Sequence, residues 1–191
     1  MLKFRQSVLG RPNAFNVNQI DQSNGKKGNL ETVDIMQRMA RSRAGHPEIR
    51  EMALDILDGY NTDSHDYINE AKAIGHFVQQ KVKYVRDVNG IEQLHDPLLM
   101  VQMIRNGATV RGDCDDMALL VATLLLAIGH NPKVRMVRYR TRKGPFDHIY
   151  VVVHEKNHNS KKRYRLVIDP IVKNKPIGFE VKHMSGEERN I

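Results

Sequence analysis

The residue with the clearest chemical potential is Cys114, the only cysteine in a chain of 191 residues. It lies in the segment Gly112-Asp113-Cys114-Asp115-Asp116, and no charged residue follows from Met117 to Ile128. A helix that is apolar on all sides is typical of a buried helix. Asp113 is a favoured N-cap residue, so the pattern predicts Cys114 at or near the first helical position. There the helix dipole and unpaired backbone N–H groups favour a thiolate over a thiol.

A reactive thiolate needs a base, and the base needs an orienting partner. Two candidates lie downstream on predicted strands. His148 is near the start of the β-branched run from Asp147 to Val153, and Asp169 ends the run from Tyr164, where Pro170 stops it. The order helix, strand, strand is consistent with a cysteine, a histidine and a carboxylate meeting at one site.

These segments resemble the transglutaminase-like superfamily of papain-type cysteine enzymes. The matching motifs are G-D-C-D-D, D-H-I-Y-V-V-V and V-I-D-P, with Tyr84-Val85-Arg86-Asp87 before them, and the resemblance spans residues 66 to 172. It implies Cys114 as nucleophile, His148 as base and Asp169 as the residue that orients the histidine. The implied activity is acyl transfer, with hydrolysis of a peptide or isopeptide bond preferred and no cofactor. The arm and compact domain resemble versions encoded by tailed phages and prophages.

The supporting residues are less determined by the sequence. An oxyanion hole would combine the Cys114 backbone N–H with a side-chain donor, for which Gln93, Gln102 and Tyr84 are all candidates. Members of the superfamily carry a Trp shortly after the histidine, whereas this chain has Tyr150 on that strand.

The acidic residues beside Cys114 allow two interpretations. Asp113, Asp115 and Asp116 could suggest a calcium site, because clustered carboxylates are what this cation prefers. Adjacent helical residues point in different directions, however, and no glycine-spaced loop follows. We therefore predict capping for Asp113 and Asp115, a buried hydrogen-bonding role for Asp116, and no metal.

The other histidines lack zinc-type spacing with a cysteine, and most are expected to be polar surface or loop residues. They are His46, His65, His76, His95, His130, His154, His158 and His183.

The order of elements predicts an α+β fold, in which the buried cysteine helix packs on an antiparallel sheet. Residues 1–30 are predicted as an extended polar arm, 31–62 as a helical extension, 63–175 as the catalytic core and 176–191 as a C-terminal tail. Helices are predicted from Thr32, from Pro47, from Asp66 and from Pro97, in addition to the cysteine helix. Strands are predicted at 133–139, 147–154 and 163–168, with turns at Asn89-Gly90, Gly144-Pro145 and 157–160.

Composition limits the partners. The formal charge of +8 comes without zinc-finger spacing or an aromatic RNA-binding strand, so nucleic acid is disfavoured. No stretch is long enough to span a bilayer, and no signal-peptide pattern is visible, which predicts synthesis in the cytoplasm. The preferred partner is a protein or peptide substrate. The alternative is a virion structural or assembly protein that keeps the fold and docks onto other subunits through residues 1–30.

Overall fold

The computed structural model describes residues 17–20, 26–86, 92–140, 143–156 and 163–191. The helices are α1 (Lys26–Ala44), α2 (Pro47–Gly59), α3 (Tyr67–Lys81), α4 (Pro97–Arg105) and α5 (Cys114–Ala127). The strands are β1 (Val17–Ile20), β2 (Val82–Tyr84), β3 (Glu92–His95), β4 (Val110–Gly112), β5 (Lys133–Arg138), β6 (His148–Lys156), β7 (Arg163–Ile168) and β8 (Ser185–Asn190). Helices and an antiparallel sheet together form a mixed α+β architecture.

Helix α5 is the centre of the molecule. Its residues from 115 to 125 are all buried. Helices α1 to α4 pack against it on one side, and strand β6 packs against it on the other. The uniformly apolar sequence of α5 follows from this enclosure, because each face of the helix contacts apolar side chains rather than water. None of the described helices is both long and apolar enough to cross a membrane.

The main sheet has the order β7-β6-β5-β8, and every pair in it is antiparallel. Alternation along β6 divides the sheet into two faces. Ile149, Val151 and Val153 join the core around α5, whereas Tyr150 and Val152 join a smaller apolar cluster on the outer face. Two short pairs complete the fold: β1 lies antiparallel to β3, and β2 lies parallel to β4.

The C-terminal segment differs from the predicted tail at 176–191. Strand β8 pairs with the edge of β5 over six residues, from Ser185 opposite Arg138 to Asn190 opposite Lys133. Its sequence, S-G-E-E-R-N, has almost no strand propensity of its own. The strand forms because the β5 edge supplies backbone partners and Arg135 supplies a cation for Glu188. These residues therefore belong to the folded body.

The N-terminal boundary also differs from the prediction. Helix α1 begins at Lys26, within the predicted arm, and Thr32 lies inside the helix, where its hydroxyl donates to the Gly28 carbonyl. The extra turns are held by tertiary contacts, since the Asn29 side chain accepts from the Phe146 backbone N–H at 3.0 Å. Met36 and other buried residues of α1 pack on the core, so residues 31–62 are part of that core rather than an addition to it.

Most other helix starts agree with the sequence. Asp66 caps α3, Asp96 caps α4, and Pro47 and Pro97 are the first residues of their helices. Strands β3 and β4 had no sequence signal. The predicted turns at Asn89-Gly90 and 157–160, and most of the arm, lie outside the described residues.

A buried histidine at the C-terminal end of α5 ties three elements together. His130 Nε2 lies 3.0 Å from a carboxylate oxygen of Glu70 on α3, and its Nδ1 lies 2.9 Å from one of Glu155 on β6. The His130 side chain has no exposed surface. His130 lies in the loop that follows α5, but it is buried, so it is an exception to the surface position expected for most of the histidines.

We expect His130→Leu to lower the free energy of unfolding by about 3 kcal/mol, because one oxygen of the buried Glu70 carboxylate and one of Glu155 lose their partner. The other Glu70 oxygen keeps the His65 backbone N–H. Urea denaturation followed by circular dichroism measures the loss. The control is His76→Leu, because His76 is a partly buried residue of α3. We expect this substitution to change the free energy of unfolding by no more than about 0.5 kcal/mol. Equal stability of the two variants would show that the cluster contributes nothing.

Candidate active site

Cys114 is the first residue of α5, and it is partly buried. The Asp113 side chain accepts from the Asp115 backbone N–H at 3.1 Å, and Asp116 accepts from the Asp113 backbone N–H at 3.2 Å. This reciprocal arrangement is a capping box, which satisfies N–H groups that would otherwise lack partners. The result is a cysteine held in one place at the positive end of a buried helix.

Asp116 connects the helix start to β3. Its two carboxylate oxygens accept from the His95 backbone N–H at 2.7 Å and contact His95 Nδ1 at 2.6 Å. Burial raises the pKa of Asp116, while the contacts with His95 oppose that increase. Sequence reasoning placed His95 among surface and loop residues, because nothing local to His95 indicates a carboxylate 21 residues away.

His148 and Asp169 form a buried pair. His148 Nε2 lies 2.8 Å from an Asp169 carboxylate oxygen, and both side chains are 3% exposed. His148 begins β6, and Asp169 follows directly after the last residue of β7. The antiparallel pairing of β6 with β7 brings these ends together. With Nε2 directed at the carboxylate, Nδ1 is the ring nitrogen left for proton exchange with another group.

Tyr139 packs against this pair. Its ring stacks on the His148 ring, with centroids 5.7 Å apart and planes 23° apart. Burial raises the pKa of the Tyr139 hydroxyl, and the negative charge of Asp169 adds to that increase. Tyr139 thus covers the ring of His148, one of the predicted catalytic side chains. Sequence reasoning missed it, since a tyrosine just after a strand has no distinguishing pattern.

A second tyrosine, Tyr150, contacts the His148 ring on the outer face of the sheet. The Tyr150 ring is 5.6 Å from the His148 ring, and its hydroxyl donates to Glu180. Arg165 also contacts Glu180, with a nitrogen–oxygen distance of 2.8 Å. These partners, Arg165 first, lower the pKa of Glu180 to about 2. The Glu180 carboxylate therefore stays ionised and accepts from the Tyr150 hydroxyl. This hydrogen bond connects β6, the strand that begins with His148, to the C-terminal segment that contains Glu180.

The three candidates for the oxyanion donor lie in different places. The Gln102 amide donates to Glu48 on α2 at 3.0 Å, so it is used in helix packing. Tyr84 lies beside Gly112 in the β2–β4 pair, and its side chain is partly buried against the core. Gln93 is two residues before His95 on β3, on the same side of that strand and about 7 Å away along it.

Among the described residues, the carboxylates of Asp113, Asp115 and Asp116 are close enough to share a metal ion, with ligand atoms all within 4.8 Å. Asp113 and Asp116 use their oxygens on backbone N–H groups and on His95. Those contacts are the ones that a capping role requires, so we assign the cluster to capping.

Comparisons with known proteins add little. No protein-family profile and no curated protein match the sequence. Among solved structures, LapG of Legionella pneumophila is similar at 18% identity over 76% of this chain and 75% of that chain, with a TM-score of 0.41. Its calcium-bound form is similar at the same identity over 76% of each chain, with a TM-score of 0.42. A likeness this distant supports no inference about the chemistry of this chain.

Proposed function

We propose that this protein is a cysteine-dependent acyl transferase that hydrolyses peptide or isopeptide bonds through Cys114, His148 and Asp169. The observation that supports it is the buried His148–Asp169 pair, in which His148 Nε2 lies 2.8 Å from the Asp169 carboxylate, on the sheet that packs against the helix begun by Cys114. A cysteine at a helix start, an imidazole and a carboxylate are the groups that thiol-dependent acyl transfer requires.

In the first half-reaction, the Cys114 thiolate attacks the carbonyl carbon and forms a carbon–sulfur bond. The carbon–nitrogen bond then breaks as His148 transfers a proton from Nδ1 to the leaving amine. In the second half-reaction, water attacks the thioester, and His148 takes its proton. The carboxylic acid leaves and the thiolate is restored. Asp169 fixes the tautomer and stabilises the imidazolium throughout.

The negative oxygen of each tetrahedral intermediate needs hydrogen-bond donors. The backbone N–H of Cys114 is one, since it lies at the start of α5, where N–H groups have no helical acceptor. For the second we favour the Gln93 amide, because β3 is fastened to the helix start through His95 and Asp116. The Gln102 amide donates to Glu48.

The test is turnover of fluorescently labelled casein, combined with labelling by a set of peptidyl vinyl sulfones that capture active cysteine nucleophiles. We expect the wild-type chain to release fluorescence and to gain the mass of one inhibitor. Cys114→Ser and His148→Ala should lose both signals. A wild-type chain that neither cleaves nor captures any member of the set, while Cys114 remains open to small alkylating agents, would count against hydrolysis.

The phage origin and the virion role stay predictions. Neither the described residues nor the comparisons bear on them.

A further inference from the structure

Three basic residues lie on or next to the β2–β4 pair, which leads into the start of α5. They are Lys83 on β2, Arg111 on β4, and Arg86, which follows β2, and all three are exposed. We call this group the basic rim. Among the ion pairs formed by described residues, none involves a member of the rim.

The backbone places the rim beside the cysteine. The parallel register sets Lys83 opposite Arg111, so the two side chains extend from the same face. The Val85 N–H donates to the Gly112 carbonyl at 2.9 Å, two residues before Cys114. Arg86 comes next in the chain, so the backbone places it beside the segment that leads into Cys114.

The carboxylates at the start of α5, those of Asp113, Asp115 and Asp116, carry the opposite charge and offset the field of the rim in part. Asp113 is turned toward the Asp115 backbone N–H, and Asp116 is buried against His95. The positive end of α5 adds to the field of the three cations. Like charges held together at an exposed site favour an anionic partner.

We propose that the basic rim binds an acidic segment of the protein substrate, and so selects peptide bonds flanked by Asp or Glu on the β2–β4 side of Cys114. This inference rests on the proposed function, since it names a substrate class for that site. A carboxylate that contacts Arg86 would hold the neighbouring peptide carbonyl near the thiolate. Protein carboxylates are favoured over nucleic acid because the rim adjoins the nucleophile of an amide-cleaving site.

The first test needs no substrate. Iodoacetate and iodoacetamide are similar in size and differ by one negative charge, so the ratio of their alkylation rates at Cys114 reports the local field. Removing one cation about 6 Å from the reagent carboxylate should lower the iodoacetate-to-iodoacetamide ratio about three-fold. We expect this for Arg86→Gln, with a larger decrease for Arg86→Gln combined with Arg111→Gln.

Two controls distinguish the effect of the rim cations on this ratio from the effect of the net charge of the protein. Arg189→Gln removes one cation at the other end of the sheet, opposite Val134, and should leave the ratio unchanged. Arg86→Lys should retain it. All variants keep His148, so the contribution of its charge is common to them. A double variant whose ratio equals that of Arg189→Gln would overturn the proposal.

The second test addresses the partner. A capped tetraglutamate peptide should slow iodoacetamide labelling of Cys114 more than capped tetraglutamine does, and the double variant should abolish the difference. Equal protection by both peptides, or stronger protection by oligothymidylate than by tetraglutamate, would overturn an acidic protein segment as the ligand. Failure of hydrolysis is recognised separately, by casein turnover and vinyl sulfone capture.

Discussion

Iodoacetamide should label Cys114 rapidly at pH 6 in the wild-type protein and about a hundred-fold more slowly in His148→Ala. At that pH an unperturbed thiol, with a pKa of about 8.5, is about 0.3% thiolate. An imidazolium partner and the start of α5 would raise that fraction toward one. The gain in rate is smaller than the gain in thiolate, because a more acidic thiol is also a weaker nucleophile.

The expected effect is large because Asp113 and Asp115 oppose thiolate formation by like charge. The capping contacts direct Asp113 at a backbone N–H, which reduces but does not remove that opposition. Without His148, the helix start alone must overcome these carboxylates. The rate at which the variant is labelled should then increase only as the pH approaches the pKa of an ordinary thiol, about 8.5.

Intact mass spectrometry measures the rates, and the reading is unambiguous because the chain has one cysteine. His76→Ala is the matched control, since His76 lies on α3 and stacks on Tyr60. Asp169→Asn keeps the size of its side chain and should slow labelling at pH 6 by about ten-fold, as the imidazolium loses its counter-charge. If the labelling rate of the wild-type protein rises with pH and its midpoint lies near the pKa of an ordinary thiol, that result would contradict a resting ion pair between Cys114 and His148.

The parts of the site that could be predicted are those with local causes. Asp113 followed by an apolar stretch predicts a capped, buried helix, and the structure has both. A β-branched run predicts β6, because such side chains suit a pleated surface. The structure pairs His148 with Asp169, as the resemblance of their motifs implied, and their catalytic role stays a prediction.

The parts that could not be predicted depend on partners far away in sequence. Strand β8 is polar and forms only because the β5 edge is available to it. His130 contacts Glu70, 60 residues earlier, and His95 contacts Asp116 through a strand that has no sequence signature. The sequence around each of these histidines does not differ from the sequence around an exposed histidine. Only the folded structure shows which histidine rings contact a carboxylate and which contact solvent.

Tyr139 shows the same limit at the centre of the site. Its importance comes from the turn after β5, which brings its backbone N–H to the Asp147 carboxylate at 2.9 Å and its ring onto His148. Both contacts arise from the register of β5 with β6. A one-residue shift of that register would point the ring to the other face of the sheet.

Gly112→Ala should destabilise the protein by about 3 kcal/mol, near the upper end for overpacking a rigid site. A Cβ at residue 112 would lie 2.7 Å from the Asp116 Cβ and 2.8 Å from its carboxylate oxygen. Neither side can move easily. The Gly112 carbonyl accepts from Val85, and the Asp116 carboxylate is held by His95 and the Asp113 N–H.

This clash gives a physical reason for the glycine in the G-D-C-D-D motif. The carboxylate that caps α5 folds back under residue 112, so the position before the cap must lack a side chain. Gly59→Ala is the matched control, because nothing lies within 4 Å of its Cβ and alanine is favoured in a helix. Urea denaturation compares the two, and labelling of Cys114 at pH 6 should slow only in Gly112→Ala. Equal unfolding midpoints would show that β4 can separate from α5 at little cost, and the motif glycine would then reflect something other than the space that Asp116 occupies.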